Sequence, residues 1–116
     1  MAKDYAALTR DISTYIGELR RAQPGPMQAF SELAKTASAD GALDKKTKEL
    51  IALAIGVTQR CDGCIGFHAK ALKDLGATRD EIAEVMAMSV YMGGGPALMY
   101  ASETLAAWDA FEPMTA

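Results

Sequence analysis

Asp44-Lys45-Lys46-Thr47-Lys48-Glu49-Leu50-Ile51-Ala52-Leu53-Ala54-Ile55-Gly56-Val57-Thr58-Gln59 is the stretch on which the fold turns. Asp44 is a short acceptor of the kind that caps a helix N-terminus, so the pattern predicts a helix from about Lys45 to Gln59. Leu50, Ile51, Leu53, Ala54, Ile55 and Val57 leave that helix apolar nearly all round, which predicts a central, buried position. Glu49 stands beside core-like neighbours and is expected to face a partly buried site.

Downstream, a break near Arg60 precedes a helix from roughly Asp62 to Leu75, with Gly76 suited to a left-handed C-terminal cap. Thr78-Arg79-Asp80-Glu81 is a capping-box signature and opens a helix running to about Met92. Gly93-Gly94-Gly95-Pro96 interrupts it, and a further helix is expected from Pro96 to about Phe111. The tail from Glu112 is expected to fray. Upstream, a helix from about Lys3 to Arg21 carries Leu8, Ile12, Tyr15, Ile16 and Leu19 on one face, and Gln23-Pro24-Gly25-Pro26 ends it. Another runs from Pro26 to about Ser38, with Met27, Phe30, Leu33 and Ala34 on its apolar face. No strand alternation stands out, so the fold class is all-α, a single-domain bundle of about six helices over residues 1–116.

Composition narrows the function. The chain has 116 residues, half of them hydrophobic, and a net charge of −3. That much apolar surface suits a subunit buried against copies of itself. No Lys/Arg stripe forms, which argues against nucleic acid and anionic membrane as partners. No secretory leader is visible, and no apolar run approaches the roughly 20 residues of a membrane span. A cytoplasmic setting is expected. A close cysteine pair there points to catalysis or metal binding rather than to a structural staple.

The chain has two cysteines and one histidine, all within Cys61-Asp62-Gly63-Cys64-Ile65-Gly66-Phe67-His68. On a helix, residues three and four apart share a face, so both sulfurs and the imidazole come together. Cysteines at that spacing in a first turn have Cα atoms roughly 5–6 Å apart, within disulfide range. A helix N-terminus favours the thiolate, and His68, one turn beyond Cys64, can take its proton. Glu49 is the best partner to orient that base. Gly63 and Gly66 are expected to leave access for a ligand or partner. Phe67 is a candidate wall of the pocket. Met86, Met88, Met92 and Met99 read as core or interface filling, and Tyr91, Tyr100 and Trp108 as packing, with a subunit interface as one place for it.

With Glu49, Cys61, Cys64 and His68 at these spacings, the segment from about Gly41 to Trp108 resembles the AhpD-like alkylhydroperoxidases of the carboxymuconolactone decarboxylase superfamily. The resemblance implies an all-helical fold, commonly in trimers or hexamers. It implies that Cys64 meets peroxide and becomes a sulfenic acid. Cys61 then serves as proton donor and condenses with it to a disulfide, while Glu49 and His68 carry a proton relay. An external dithiol or redox partner protein resets the pair, and no organic cofactor is implied. Some peroxidase members have a second histidine between the cysteines, where this chain has Gly63. The decarboxylases that name the superfamily lack the dithiol, so the pair argues against lactone decarboxylation. Two other readings remain open on the residues: a disulfide reductase or electron-transfer adaptor for a peroxidase, and a non-catalytic helical oligomer whose cysteines bind metal or sense oxidants. Zinc sites usually carry more Cys and His than this chain has, so no metal ligands are assigned.

Overall fold

Five helices organise the described residues, 2–112, of the computed structural model: α1 (Tyr5–Ala22), α2 (Pro24–Ala37), α3 (Lys45–Thr58), α4 (Asp62–Asp74) and α5 (Arg79–Ala110). The all-α class is the expected one. The difference in helix number lies at one residue. Gly94 leaves helical geometry at φ 71° and ψ −154°, a conformation open to glycine. The two helices expected on either side of the glycine run are therefore present, joined end to end at a kink within α5. The fraying expected from Glu112 onward falls almost wholly outside the described residues.

The helix starts follow from local chemistry. Asp44 caps α3 by accepting from the Thr47 N–H at 2.8 Å. Thr78 and Glu81 form a reciprocal capping box on α5: Thr78 Oγ1 accepts from the Glu81 N–H at 3.1 Å, and Glu81 Oε1 accepts from the Thr78 N–H at 2.8 Å. The second helix opens two residues earlier than expected, with Pro24 rather than Pro26 in its first position. A proline ring fits there because the first N–H groups have no helical partner.

The core lies where α3 meets α4 and α5. Leu53 and Val57 from α3, Ile65 and Leu72 from α4, Ile82, Met86 and Trp108 from α5, and Tyr5 from α1 are all buried there. Met86 and Trp108 lie in the core, while Tyr91, Met88, Met92 and Met99 are exposed on the single chain. Burial of α3 is also one-sided. Ile51 and Ile55 lie on its outer face, 45% and 51% exposed, because α4 and α5 occupy only the opposite side. The second helix departs most from the packing of the rest: none of its residues is buried, and Phe30 and Leu33 are exposed. It touches only α1 among the other helices. No described helix is long and apolar enough to cross a membrane.

A polar cluster fastens α1 to the start of α4 and the second half of α5. Lys3 Nζ donates to Asp62 Oδ1 at 3.0 Å and to Glu103 Oε2 at 2.9 Å, and the Tyr5 hydroxyl donates to Glu103 Oε2 at 3.1 Å. Burial, then the Glu103 and Asp62 carboxylates, push the Tyr5 phenol well above its ordinary range. Hydrogen bonds to Glu103 and Asp62 raise the Lys3 ammonium. Both groups hold their protons more tightly in the folded state, so stability is full below the unfolded values, about 10 for Tyr and 10.4 for Lys, and is lost as pH rises above them. Urea melts taken at rising alkaline pH are expected to show a steep loss of stability there. Tyr5→Phe should flatten that limb, and an equally steep limb in the variant would remove Tyr5 as its source.

Candidate dithiol site

Two packed helices in antiparallel register build the site. On α3, Glu49, Leu53 and Gly56 share one face because they are four and three residues apart. On α4, Cys64 and His68 share a face for the same reason. Glu49 meets His68 at one level, and Gly56 meets Cys64 at the next. The second contact is close: a Cβ added at Gly56 would lie 2.8 Å from the Cys64 Cβ. The missing side chain at 56 is what lets the two helices approach.

His68 Nδ1 lies 2.6 Å from Glu49 Oε2. The Glu49 side chain is 12% exposed and the His68 side chain 32%, so the carboxylate is the more enclosed of the two. This contact engages Nδ1 and leaves Nε2 outside the pair. One helical turn away, Cys64 is joined to Cys61 by a disulfide with Cα atoms 5.2 Å apart. Cys61 occupies the N-cap of α4 in an extended conformation, and its sulfur accepts from the Cys64 N–H at 3.2 Å. A thiolate at that position would gain from the same N–H and from the helix start. The structure thus brings all four sequence-derived candidates, Glu49, Cys61, Cys64 and His68, to one seam.

Other expectations shift. Gly63 and Gly66 do not open the site to a ligand. An added Cβ at Gly66 would lie 2.5 Å from Thr9 Cγ2, and one at Gly63 would lie 3.0 Å from Ile12 Cδ1. Both glycines admit α1 against α4. Phe67 lines a separate groove with Arg10, Thr14 and Lys70. The cavity that reaches Glu49 and His68 measures about 400 Å³ and is lined by Ala34 and Ser38 of the α2 end, Lys48, Glu49 and Ala52 of α3, and His68. Neither cysteine lines it. Among the described residues no three His, Cys, Asp or Glu side chains converge as a metal site.

Sequence reasoning passed over two contributors. Gly56 has a visible signal, a glycine seven residues after Glu49 inside an apolar helical run, which marks close backbone approach. Lys3 has none. It neutralises Asp62, the residue after Cys61, through a contact 59 positions away in sequence.

Residues 24–107 match the family model described as the carboxymuconolactone decarboxylase family. A carboxymuconolactone decarboxylase family protein from Legionella pneumophila, solved in its apo form, superposes with a TM-score of 0.91 at 53% identity, covering 92% of this chain and 96% of that one. A Thermotoga maritima family protein, described as a candidate participant in the antioxidative response, superposes at 0.78 with 25% identity, over 87% of this chain and 86% of that one. An uncharacterized protein of Cupriavidus necator is 44% identical over 110 residues, 95% of this chain and 97% of its own. A Paracoccus denitrificans protein described by its place in the cox locus is 40% identical over 97 residues, 84% of this chain and 87% of its own.

Proposed function

This chain belongs to the carboxymuconolactone decarboxylase family, and we propose that within it the chain reduces hydroperoxides through the Cys61–Cys64 pair. The observation that carries this reading is the 2.6 Å contact of Glu49 with His68, one turn from a cysteine that is bridged to its neighbour. The antioxidative description of the Thermotoga relative agrees with it.

In the reduced protein His68, oriented by Glu49, takes the Cys64 proton. The thiolate attacks one peroxide oxygen, so that an S–O bond forms and the O–O bond breaks. The departing alkoxide takes a proton from Cys61 and leaves as alcohol. Cys64 is now a sulfenic acid. The Cys61 thiolate attacks its sulfur, the hydroxide departs as water with the proton that His68 had taken, and the disulfide closes. An external dithiol returns two electrons, and no bound organic cofactor enters the cycle. A reducing cytoplasm would supply that dithiol.

Mass spectrometry with thiol counting tests the cycle. One equivalent of peroxide should consume both thiols with loss of two hydrogens and no retained oxygen. Two free thiols surviving the treatment would refute it. A second reading, protein disulfide exchange, is favoured by the absence of both cysteines from the cavity lining. Stopped-flow oxidation of the reduced protein separates the two: cumene hydroperoxide should outpace a protein disulfide if peroxide is the substrate.

The same reading includes self-association. The uncovered α2, with Phe30 and Leu33 exposed, and the outward Ile51 and Ile55 of α3 form the kind of apolar surface that copies of a chain bury. A 14-residue helix with no buried residue is marginal in water by itself, so cover from a homo-oligomer of the trimer or hexamer type would stabilise it.

A further inference from the structure

Two helices of this chain end in the same backbone turn but use different residues to make it. At the end of α4, Gly76 takes the left-handed position at φ 80°. The N–H groups of Gly76 and Ala77 donate back to the carbonyls of Lys73 and Leu72. At the end of α3, Arg60 takes that position at φ 59°. The N–H groups of Arg60 and Cys61 donate to the carbonyls of Val57 and Gly56. Both are Schellman turns, for which glycine is the usual residue.

Arginine there is strained, because its Cβ crowds the following carbonyl. Arg60 is the one non-glycine with positive φ among the described residues. Packing does not explain it, since Arg60 is exposed and no ion pair joins it to another described residue. What the turn retains despite the strain is a positive charge fixed one residue before Cys61. Strain held at such a place points to function.

Resting on the dithiol reading above, we propose that Arg60 is a recognition residue for the reductant, a protein dithiol whose reactive cysteine is flanked by carboxylate side chains. A guanidinium pairs with carboxylates in a planar, two-pronged geometry. An exposed residue outside the cavity at Glu49 and His68 is offered to another surface, not to a small molecule held in that cavity. In the reaction, a donor thiolate attacks the Cys61 sulfur, the Cys61–Cys64 bond breaks, and Cys64 leaves as a thiolate one turn from His68. The donor's second thiol then attacks its own partner sulfur in the mixed disulfide and releases Cys61. The donor leaves as a disulfide, and its two protons end on Cys61 and Cys64.

Three synthetic dithiol peptides of one Cys-x-x-Cys sequence, flanked by Glu, Gln or Lys, test this with dithiothreitol as the uncharged reference. Each reduction rate is divided by the dithiothreitol rate of the same protein. The wild-type chain should prefer the Glu peptide over the Gln peptide by roughly 5- to 10-fold at low salt, with the Lys peptide slowest, and lose the preference as salt rises. Arg60→Gly should abolish the preference and melt a few degrees higher, since glycine relieves the turn. An equal preference in both proteins would overturn the proposal. So would a normalised ratio left unchanged because dithiothreitol and peptide rates fall together, which would place the charge's effect on the disulfide itself. A shift in oligomeric state of Arg60→Gly with the preference intact would reassign the guanidinium to a contact between copies. Peroxide turnover driven by dithiothreitol is scored separately, so a failure of the hydroperoxide reading leaves the peptide result standing.

Discussion

Glu49→Gln is expected to slow peroxide turnover by roughly two to four orders of magnitude, the usual scale for losing acid–base assistance. The amide keeps the size of the carboxylate but not its charge, so His68 loses the partner 2.6 Å from its Nδ1 that would stabilise it as it takes a proton. His68→Ala should fall in the same range. The double variant should be little slower than either single one, because the two residues act as a unit. Steady-state kinetics on the three variants, with one thiol reductant throughout, makes the comparison. Near-wild-type rates for Glu49→Gln would take the carboxylate out of the mechanism, and additive losses would mean that the two residues act separately.

Gly56→Ala is expected to destabilise the fold by about 1–3 kcal/mol, the range for overpacking a tight contact. The new Cβ would stand 2.8 Å from the Cys64 Cβ, and 3.8 and 3.9 Å from the Cys64 carbonyl carbon and Cα. None of those atoms is the end of a flexible side chain, so α3 and α4 must move apart. The same seam carries the Glu49–His68 contact one level away, so turnover should fall with stability, by as much as about a hundredfold for a displacement near 1 Å. Gly25→Ala is the control. Nothing lies within 4 Å of its added Cβ, and it should melt no lower and keep full turnover. Urea melts and peroxide kinetics on both proteins check the pair. A Gly56→Ala protein as stable and active as the parent would show that the interhelical contact can yield without consequence.

Local signals in the sequence were legible because they act over three or four residues. Asp44, Thr78 with Glu81, and Gly76 mark helix ends through their own hydrogen bonds or backbone freedom. The grouping of Cys61, Cys64 and His68 follows from helical spacing alone. Glu49 was legible for a different reason, as a charged residue against an apolar run. What escaped was everything that depends on which face meets which. Gly63 and Gly66 read as openings, yet α1 fills the space they leave. Ile51 and Ile55 read as core, yet α4 and α5 leave them outside. A hydrophobic pattern records that a surface will be covered without recording by what, and a surface covered by another copy looks the same as one covered within the chain. Arg60 was legible as a break, but its left-handed backbone was not, since glycine is the residue that ordinarily announces such a turn.

Cys61 caps α4 with the same atom that joins the disulfide, and this bears on how variants at that position are chosen. Serine keeps an acceptor at the start of the helix. Alanine removes it, at a typical cost near 1 kcal/mol, and frays the first turn that presents Cys64. An inactive alanine variant would therefore confound a missing reagent with a misplaced one, and only the serine variant isolates the loss of sulfur.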